Sequence, residues 1–182
     1  YDELNLETYF LKESTGFVGQ YFVVRTDDIF KSSKGNDESA NDIRYTKMIF
    51  MAQDKYPVSG KWFYHEDEAM RKKNVTILPV IRGTEMQYIM AEYYARKGNW
   101  TEAANSLNEI RRARGCWDDI SFDKWEDFVK ELIVDARREW ISEGQLFYLY
   151  KRLNADVDFG KGVKRPFKRQ EAVVPMPASQ SM

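Results

Sequence analysis

The segment from residue 82 to residue 115 constrains the fold of this chain more than any other. Ile81, just before this segment, and Tyr88, Ala91 and Ala95 within it recur at the spacing of one helix face. A second apolar set occupies the neighbouring face: Met86, Ile89, Met90 and Tyr93. We therefore expect a helix that is buried on most of its circumference.

Two glycines mark the ends of helices in this segment. Gly98 and Gly115 can each take the left-handed conformation that often follows a last helical turn. Asn99 is placed to cap a second helix, and Glu102, three residues later, completes the pattern of a capping box. The second helix offers an apolar stripe to the first: Ala103, Leu107 and Ile110. The sequence thus predicts a helical hairpin.

The connection between the two helices resembles that of a tetratricopeptide (TPR) repeat. Ala91 is followed by Gly98-Asn99-Trp100-Thr101-Glu102-Ala103, which matches the small residue and the turn of that repeat. A single helix pair cannot bury both of its faces, so further helices must pack on it. We expect a mainly α fold, with a TPR-like hairpin packed against further helices, irregular loops and minor β structure.

Composition limits the classes of function. The 182 residues fit one domain, and 28 basic residues against 29 acidic ones give a net charge of −1. This balance gives no electrostatic case for nucleic acid or for an anionic membrane. The sequence opens with neither an initiator Met nor a signal peptide. We therefore expect it to begin within a mature or larger protein, with any lipid anchor outside it.

Other segments give weaker predictions. The polar stretch at residues 29–43 is typical of an exposed loop. Asp123 is a candidate N-cap, with Glu126 three residues later, for a helical pattern over residues 123–153. Gly144 predicts either a kink in that pattern or two abutting helices. Short strands are predicted at residues 20–25 and 172–174.

Several short motifs follow one another along the chain in a fixed order. They are Asn41-Asp42-x-Arg44, Asp54-Lys55-Tyr56, Arg82-x-x-Glu85, Leu107-Asn108-x-x-Arg111-x-x-Arg114-Gly115, Arg137-Arg138-Glu139-x-x-x-Glu143-Gly144-Gln145 and Val174-Pro175-Met176-Pro177. Together they resemble the SusD/RagB family, the surface nutrient-binding lipoproteins of Bacteroidetes. The resemblance covers roughly residues 40–177, which makes residues 1–182 the C-terminal portion of a SusD-like domain. Leu146 and Leu149 depart from it, because family members commonly carry an Arg and an Asp there.

The resemblance implies a non-enzymatic, TPR-containing protein at the outer-membrane surface that needs no cofactor or metal. Members of the family deliver oligosaccharides or similar nutrients to a partner, a SusC-like TonB-dependent transporter. The alternative that the sequence leaves open is a helical-repeat scaffold that binds only protein partners.

Catalytic chemistry has weak candidates in this sequence. His65 is the only histidine, and we expect a surface or loop position for it. Cys116 follows a predicted helix end, the wrong terminus for activating a thiolate, and is expected to be a small buried hydrophobe. Glu139 and Glu143 lie one helical turn apart, so their carboxylates share a face and are the candidates for a glycosidase pair. Interhelical ion pairs with the arginines of the hairpin are the more ordinary use of these carboxylates.

Aromatic residues are the better functional lead, because the apolar faces of sugar rings stack on indole and phenol rings. Our predicted ligand-binding set is Trp62, Phe63, Tyr64 and Trp117. The first three lie in a Pro/Gly loop, and the fourth precedes two aspartates in the turn after the hairpin. The alternative for each ring is that it fills a gap in the core. Three other tryptophans at helical spacing are core candidates: Trp100, Trp125 and Trp140.

Overall fold

The computed structural model describes residues 24, 26–52, 56–61, 81–160 and 163–168. The described fold is mainly helical with minor β structure, as the sequence predicts. Its helices are α1 (Thr26–Ile29), α2 (Ile43–Met48), α3 (Gly83–Arg96), α4 (Trp100–Ala113), α5 (Trp125–Glu139) and α6 (Leu146–Leu153). Its strands are β1 (Ile49–Ala52), β2 (Tyr56–Ser59), β3 (Val157–Gly160) and β4 (Val163–Arg165). They form two antiparallel pairs, β1 with β2 and β3 with β4.

The predicted hairpin is present as α3 and α4. Gly98 takes the left-handed conformation with φ 73°, and the Asn99 N–H donates to the Tyr94 carbonyl at 2.9 Å. The Asn99 side chain caps α4 by accepting from the Glu102 N–H at 3.3 Å. The Asn99 N–H that a capping box would direct to Glu102 is already bonded to Tyr94. The reciprocal half of the predicted box is therefore not formed.

The outer face of α3 corrects the prediction that this helix is buried on most of its circumference. Tyr88, Ala91 and Ala95 are buried as expected, but Ile81, the fourth residue predicted on this face, precedes the helix and is 72% exposed. The second apolar set is exposed, with exposed fractions from 44% to 57%: Met86, Ile89, Met90 and Tyr93. Apolar spacing identifies the faces of a helix, but the number of neighbours that cover them depends on the tertiary fold. Among the described elements, α4 and α5 pack on α3.

The core forms where α5 packs on both helices of the hairpin. Helix α5 contributes three side chains with no exposed surface: Phe128, Leu132 and Ala136. The Trp140 ring meets Tyr88 edge-on, with centroids 5.1 Å apart, and its predicted core position is confirmed. Trp100 and Trp125 are only partly buried and pack at the edge of the same cluster.

The helical pattern over residues 123–153 is divided into α5 and α6. Ser142 and Gly144 lie between them with φ of 61° and 73°, and left-handed residues interrupt the helical hydrogen-bond ladder. Of the two alternatives that Gly144 left open, the structure has two helices. The prediction that Asp123 is an N-cap is wrong, because α5 begins after an extended Lys124 and has no side-chain cap.

The polar stretch at residues 29–43 is only partly the exposed loop that was predicted. Its tip at residues 34–37 is exposed, but Phe30, Glu38 and Asp42 are buried. The two acidic residues are buried because arginines on distant helices pair with them, as described below. The strands predicted at residues 20–25 and 172–174 lie outside the described residues, apart from Val24. Within the described ranges, no helix is both long enough and apolar enough to cross a bilayer.

Candidate functional site

Charged residues from four of the sequence motifs meet in one ion-pair network, together with Glu38, Lys61 and Asp135. In the described part of the chain the network contains six basic side chains: Arg44, Lys61, Arg82, Arg111, Arg114 and Arg138. Its five carboxylates are Glu38, Asp42, Asp135, Glu139 and Glu143. Most of these side chains are buried, so each charge depends on its neighbours for the solvation that water would otherwise supply.

Glu139, at the end of α5, connects this helix with α2, with the start of α3 and with the end of the hairpin. It accepts two bonds from Arg114, at 3.0 and 2.8 Å, and one each from Arg44 at 3.2 Å and from Thr84 at 3.1 Å. Arg82 also donates to it. Burial would raise the pKa of Glu139, but the bond and charge of Arg114, with Arg44 and Arg82 behind it, lower that pKa from 4.5 to about 2.

The Asn41-Asp42-x-Arg44 motif attaches α2 to the rest of the fold. Asp42 caps α2 by accepting from the Arg44 N–H at 2.9 Å, and it also accepts from the Arg44 guanidinium. Arg44 reaches across to Asp135 on α5 at 3.0 Å, and the Tyr88 hydroxyl donates to the same carboxylate at 2.5 Å. Burial would raise the pKa of Asp135, but the neighbouring Arg44 lowers it.

Glu38 joins two arginines that the sequence places far from it. Arg111 and Arg138 each donate to its carboxylate at 2.6 Å. Arg138 also donates to the carbonyls of Ile29 at 2.8 Å and Lys31 at 2.9 Å. The segment before α2 is therefore held against α4 and α5.

The Glu139–Glu143 pair has the geometry of a structural ion-pair site. Arg82 bridges the two carboxylates, and Lys61 also pairs with Glu143. A carboxyl with a pKa near 2 stays ionised at neutral pH and has no proton to donate, so Glu139 is unsuited to the acid role of a glycosidase pair. The predicted ion pairs between this end of α5 and the hairpin are present at Arg82 and Arg114.

The end of the hairpin docks closely on the Asn41-Asp42-x-Arg44 motif. Gly115 has φ 86°, and a Cβ added there would lie 2.3 Å from the carbonyl oxygen of Asn41. The Ile43 N–H donates to the Arg114 carbonyl at 2.9 Å. Glycine at position 115 thus satisfies both the left-handed backbone and the close approach of two motifs.

Cys116 is buried, as predicted, but its neighbours are charged. Its thiol lies 3.5 Å from Asp42 and 3.9 Å from Arg138. Burial and the Asp42 carboxylate raise the pKa of this thiol to about 11, which keeps it in the unreactive protonated form.

Trp117 follows this buried cysteine and is 74% exposed. Its turn is fixed on both sides by residues of α4. Arg111 donates to the Asp118 carbonyl at 3.1 Å, and the Asn108 side chain makes two bonds of 2.9 Å with the backbone of Ile120. The indole therefore projects into solvent from a turn whose backbone is held in place.

Polar groups that suit a sugar lie beside this indole. Asp118 and Asp119 are exposed, and Arg112 pairs with the Asp119 carboxylate at the surface. The other predicted ligand-binding residues, Trp62, Phe63 and Tyr64, lie outside the described residues, as does His65. They remain predictions.

Sequence reasoning missed the residues that hold the Trp117 turn. Asn108 and Arg111 belong to the Leu107-Asn108-x-x-Arg111 motif, and the signal that could have identified them is their position one helical turn apart on α4. Both are buried polar residues, and a buried polar side chain needs a partner. Nothing in the local sequence indicates that the partners lie in the following turn.

Among the residues that the structure describes, no group of three or more His, Cys, Asp or Glu side chains is placed to hold a metal ion. Comparison of the chain with protein-family models, with curated proteins and with solved structures finds no match.

Proposed function

We propose that this chain is the C-terminal portion of a SusD/RagB-like protein that binds a nutrient, most simply an oligosaccharide, and does no catalysis. The observation that carries the proposal is Trp117, a large indole 74% exposed on a fixed turn beside two carboxylates. The protein acts at the outer-membrane surface and passes its ligand to a SusC-like TonB-dependent transporter. The transporter, the surface location and the lipid anchor rest on the sequence resemblance alone.

The Trp117 turn has the chemistry that a neutral saccharide needs. The indole face stacks on the C–H face of a sugar ring, and the Asp118 and Asp119 carboxylates accept bonds from its hydroxyls. The bonds from Asn108 and Arg111 already order this turn. Less conformational entropy is then lost on binding, which favours affinity at a shallow site.

The ion-pair network supports the resemblance from which the proposal starts. Residues 41–44, 111–115 and 138–143 carry three of the motifs. Arg44 and Arg114 bond to Glu139, and Arg138 bonds to Asp42. Motifs that only happened to occur in this order would have no reason to meet in space. The α3–α4 pair, with buried Ala91, Ala95 and Ala103, supports the finer proposal that the hairpin is TPR-like.

One observation favours the alternative, a helical-repeat scaffold that binds only protein. The exposed outer face of α3 is apolar at Met86, Ile89, Met90 and Tyr93, a composition typical of protein contacts. The two functions differ in whether the chain has saturable affinity for any glycan.

A glycan array followed by isothermal titration calorimetry tests the proposal. We expect saturable binding of at least one oligosaccharide, and a loss of at least about tenfold in affinity in Trp117→Ala, about 1.4 kcal/mol. Tyr148→Ala is the matched control, since this ring is 69% exposed on α6, and its affinity should stay within about twofold.

The melting temperatures of both variants should match that of the unmodified chain, because both rings are exposed. Unchanged glycan affinity in Trp117→Ala would remove this turn from the site. Absence of binding across the array, with protein partners captured through the α3 face, would favour the scaffold instead.

A further inference from the structure

A cleft of about 320 Å³ opens where the N terminus of α3 meets the network. Four basic side chains line it, Arg44, Lys61, Arg82 and Arg114. Glu139 is the one carboxylate among the described residues that line it. The cleft is distinct in composition from the Trp117 turn, which offers an indole and two carboxylates.

The network divides into a neutral inner part and a cationic outer part. The inner part is balanced, because three arginines face three carboxylates: Arg44, Arg111 and Arg138 against Glu38, Asp42 and Asp135. The outer part, at the mouth of the cleft, sets Lys61, Arg82 and Arg114 against Glu139 and Glu143. Within the described chain, the mouth therefore carries one positive charge more than it carries negative charges.

The three cations at the mouth are reachable from solvent. The exposed fraction of the side chain is 27% for Arg114, 16% for Arg82 and 11% for Lys61. Arg114 bonds to Glu139 through Nε and Nη2, which leaves Nη1 without a partner among the described residues. A guanidinium held on one edge by a carboxylate presents its remaining donors in a fixed direction.

The start of α3 adds backbone donors to the same cleft. This helix is 14 residues long and begins at Gly83 without a side-chain cap. The Glu85 N–H donates to the Arg82 carbonyl at 3.0 Å. The N–H groups of Gly83 and Thr84, the first two of the helix, have no residue one turn earlier in the helix to bond to and carry partial positive charge. Gly83 and Thr84 line the cleft, and a Cβ added at Gly83 would meet nothing within 4 Å. An oxyanion is the ligand that suits both the excess cation and these N–H groups.

We propose that this cleft binds a small oxyanion, a sulfate, phosphate or carboxylate group. The group can arrive as a free ion or as a substituent on a saccharide. The inference stands on the cleft alone and does not depend on the nutrient-binding function. Where the anion-binding and the nutrient-binding proposals both hold, the nutrient is an acidic saccharide. Its charged group enters the cleft while one of its rings stacks on an aromatic side chain outside the cleft.

The test is thermal unfolding and calorimetry of the full chain with sodium sulfate, sodium phosphate and sodium glucuronate, against sodium chloride at equal ionic strength. We expect a saturable rise in Tm with at least one of the three anions beyond the chloride effect. Tighter binding of glucuronate than of both inorganic ions would identify a sugar-borne carboxylate. The reverse order would identify a free tetrahedral ion.

Gly83→Glu places a side-chain carboxylate in the open space at the start of α3. This carboxylate should take the place of the bound anion in the cleft. We expect it to weaken anion binding at least about tenfold, since it replaces an attraction by a repulsion between like charges. Gly83→Gln, of similar size and helix propensity, should keep most of the affinity. Asn105→Glu, on an exposed position of α4, is the control for the added charge.

Two results would overturn the proposal. One is the absence of any saturable effect of all three anions on the unmodified chain. The other is anion binding of equal strength in Gly83→Glu and the unmodified chain, which would place the ion outside this cleft. Either result leaves the glycan assay on Trp117 unaffected, so the two proposals fail separately.

Discussion

At the scale of single residues, two glycines show that the energetic cost of a substitution depends on the surroundings of the residue. Gly98 and Gly115 both end helices of the hairpin with positive φ, and the sequence predicts the two stops equally well. Gly98 has open space where a Cβ would lie, whereas Gly115 faces the Asn41 carbonyl at 2.3 Å. The close approach at Gly115 belongs to the tertiary fold and has no trace in the local sequence.

This contrast gives a matched pair of substitutions. Gly115→Ala should destabilise the fold by about 3 kcal/mol, because the methyl group displaces backbone as well as straining φ. Gly98→Ala should cost only about 1 kcal/mol, the penalty for a left-handed alanine. Urea unfolding of the two variants measures the difference. Equal costs would mean that the hairpin does not dock on residues 41–43 as described.

At the scale of elements, local signals predicted the hairpin well and its neighbours poorly. The helices α3 and α4 follow from apolar spacing and from Gly98, which act within a few residues. The prediction failed where partners are distant: the Glu38 carboxylate is buried by Arg111 and Arg138, 73 and 100 residues away in sequence. The prediction that the outer face of α3 is buried failed for the same reason, because apolar spacing does not show how many helices pack on a face.

The sequence identified the exposed aromatic residue of the candidate site but not the residues that hold it in place. Trp117, beside Asp118 and Asp119 in a turn between helices, was a candidate for exposure with core packing as the alternative, and it is exposed. The residues that immobilise this turn, Asn108 and Arg111, were present in a motif but had no predicted partner. Trp62, Phe63 and Tyr64 remain a prediction that rests on composition.

The end of α5 gives a prediction about acid stability. The pKa of Glu139 is about 2 in the fold against 4.5 ordinarily, so its ionised form stabilises the folded state. That contribution is complete above pH 4.5 and is lost as the pH falls toward 2. The shift corresponds to roughly 3 kcal/mol, and the lowered pKa of Asp135 acts in the same direction.

Urea unfolding in steps from pH 6 to pH 2 measures this dependence. Glu139→Gln should be less stable at pH 6 and should show a shallower loss of stability below pH 4.5. Glu109→Gln, an exposed residue of α4, is the control and should keep the slope of the unmodified chain. A slope that Glu139→Gln leaves unchanged would contradict the central position of this carboxylate.

At the scale of the whole molecule, one buried network links segments that are far apart in sequence. Arg44 on α2 bonds to Glu139 on α5 across 95 residues, and Arg114 brings the hairpin to the same carboxylate. The apolar cluster of α3, α4, α5 and α6 forms the core, while the ion pairs fix how the elements dock. The Trp117 turn and the cationic cleft lie at the edges of this network, so their geometry depends on it.

The central claim is that this network is formed, and a double-mutant cycle on Arg44→Met and Glu139→Gln measures it most directly. We expect each single variant to lose about 3 to 5 kcal/mol of unfolding free energy, since each strands buried charge, with a coupling energy of about 1 to 3 kcal/mol. The exposed pair Arg112–Asp119, nearly half exposed on both sides, is the control, and its coupling should stay under about 1 kcal/mol. A coupling energy near zero between Arg44 and Glu139 would contradict the account.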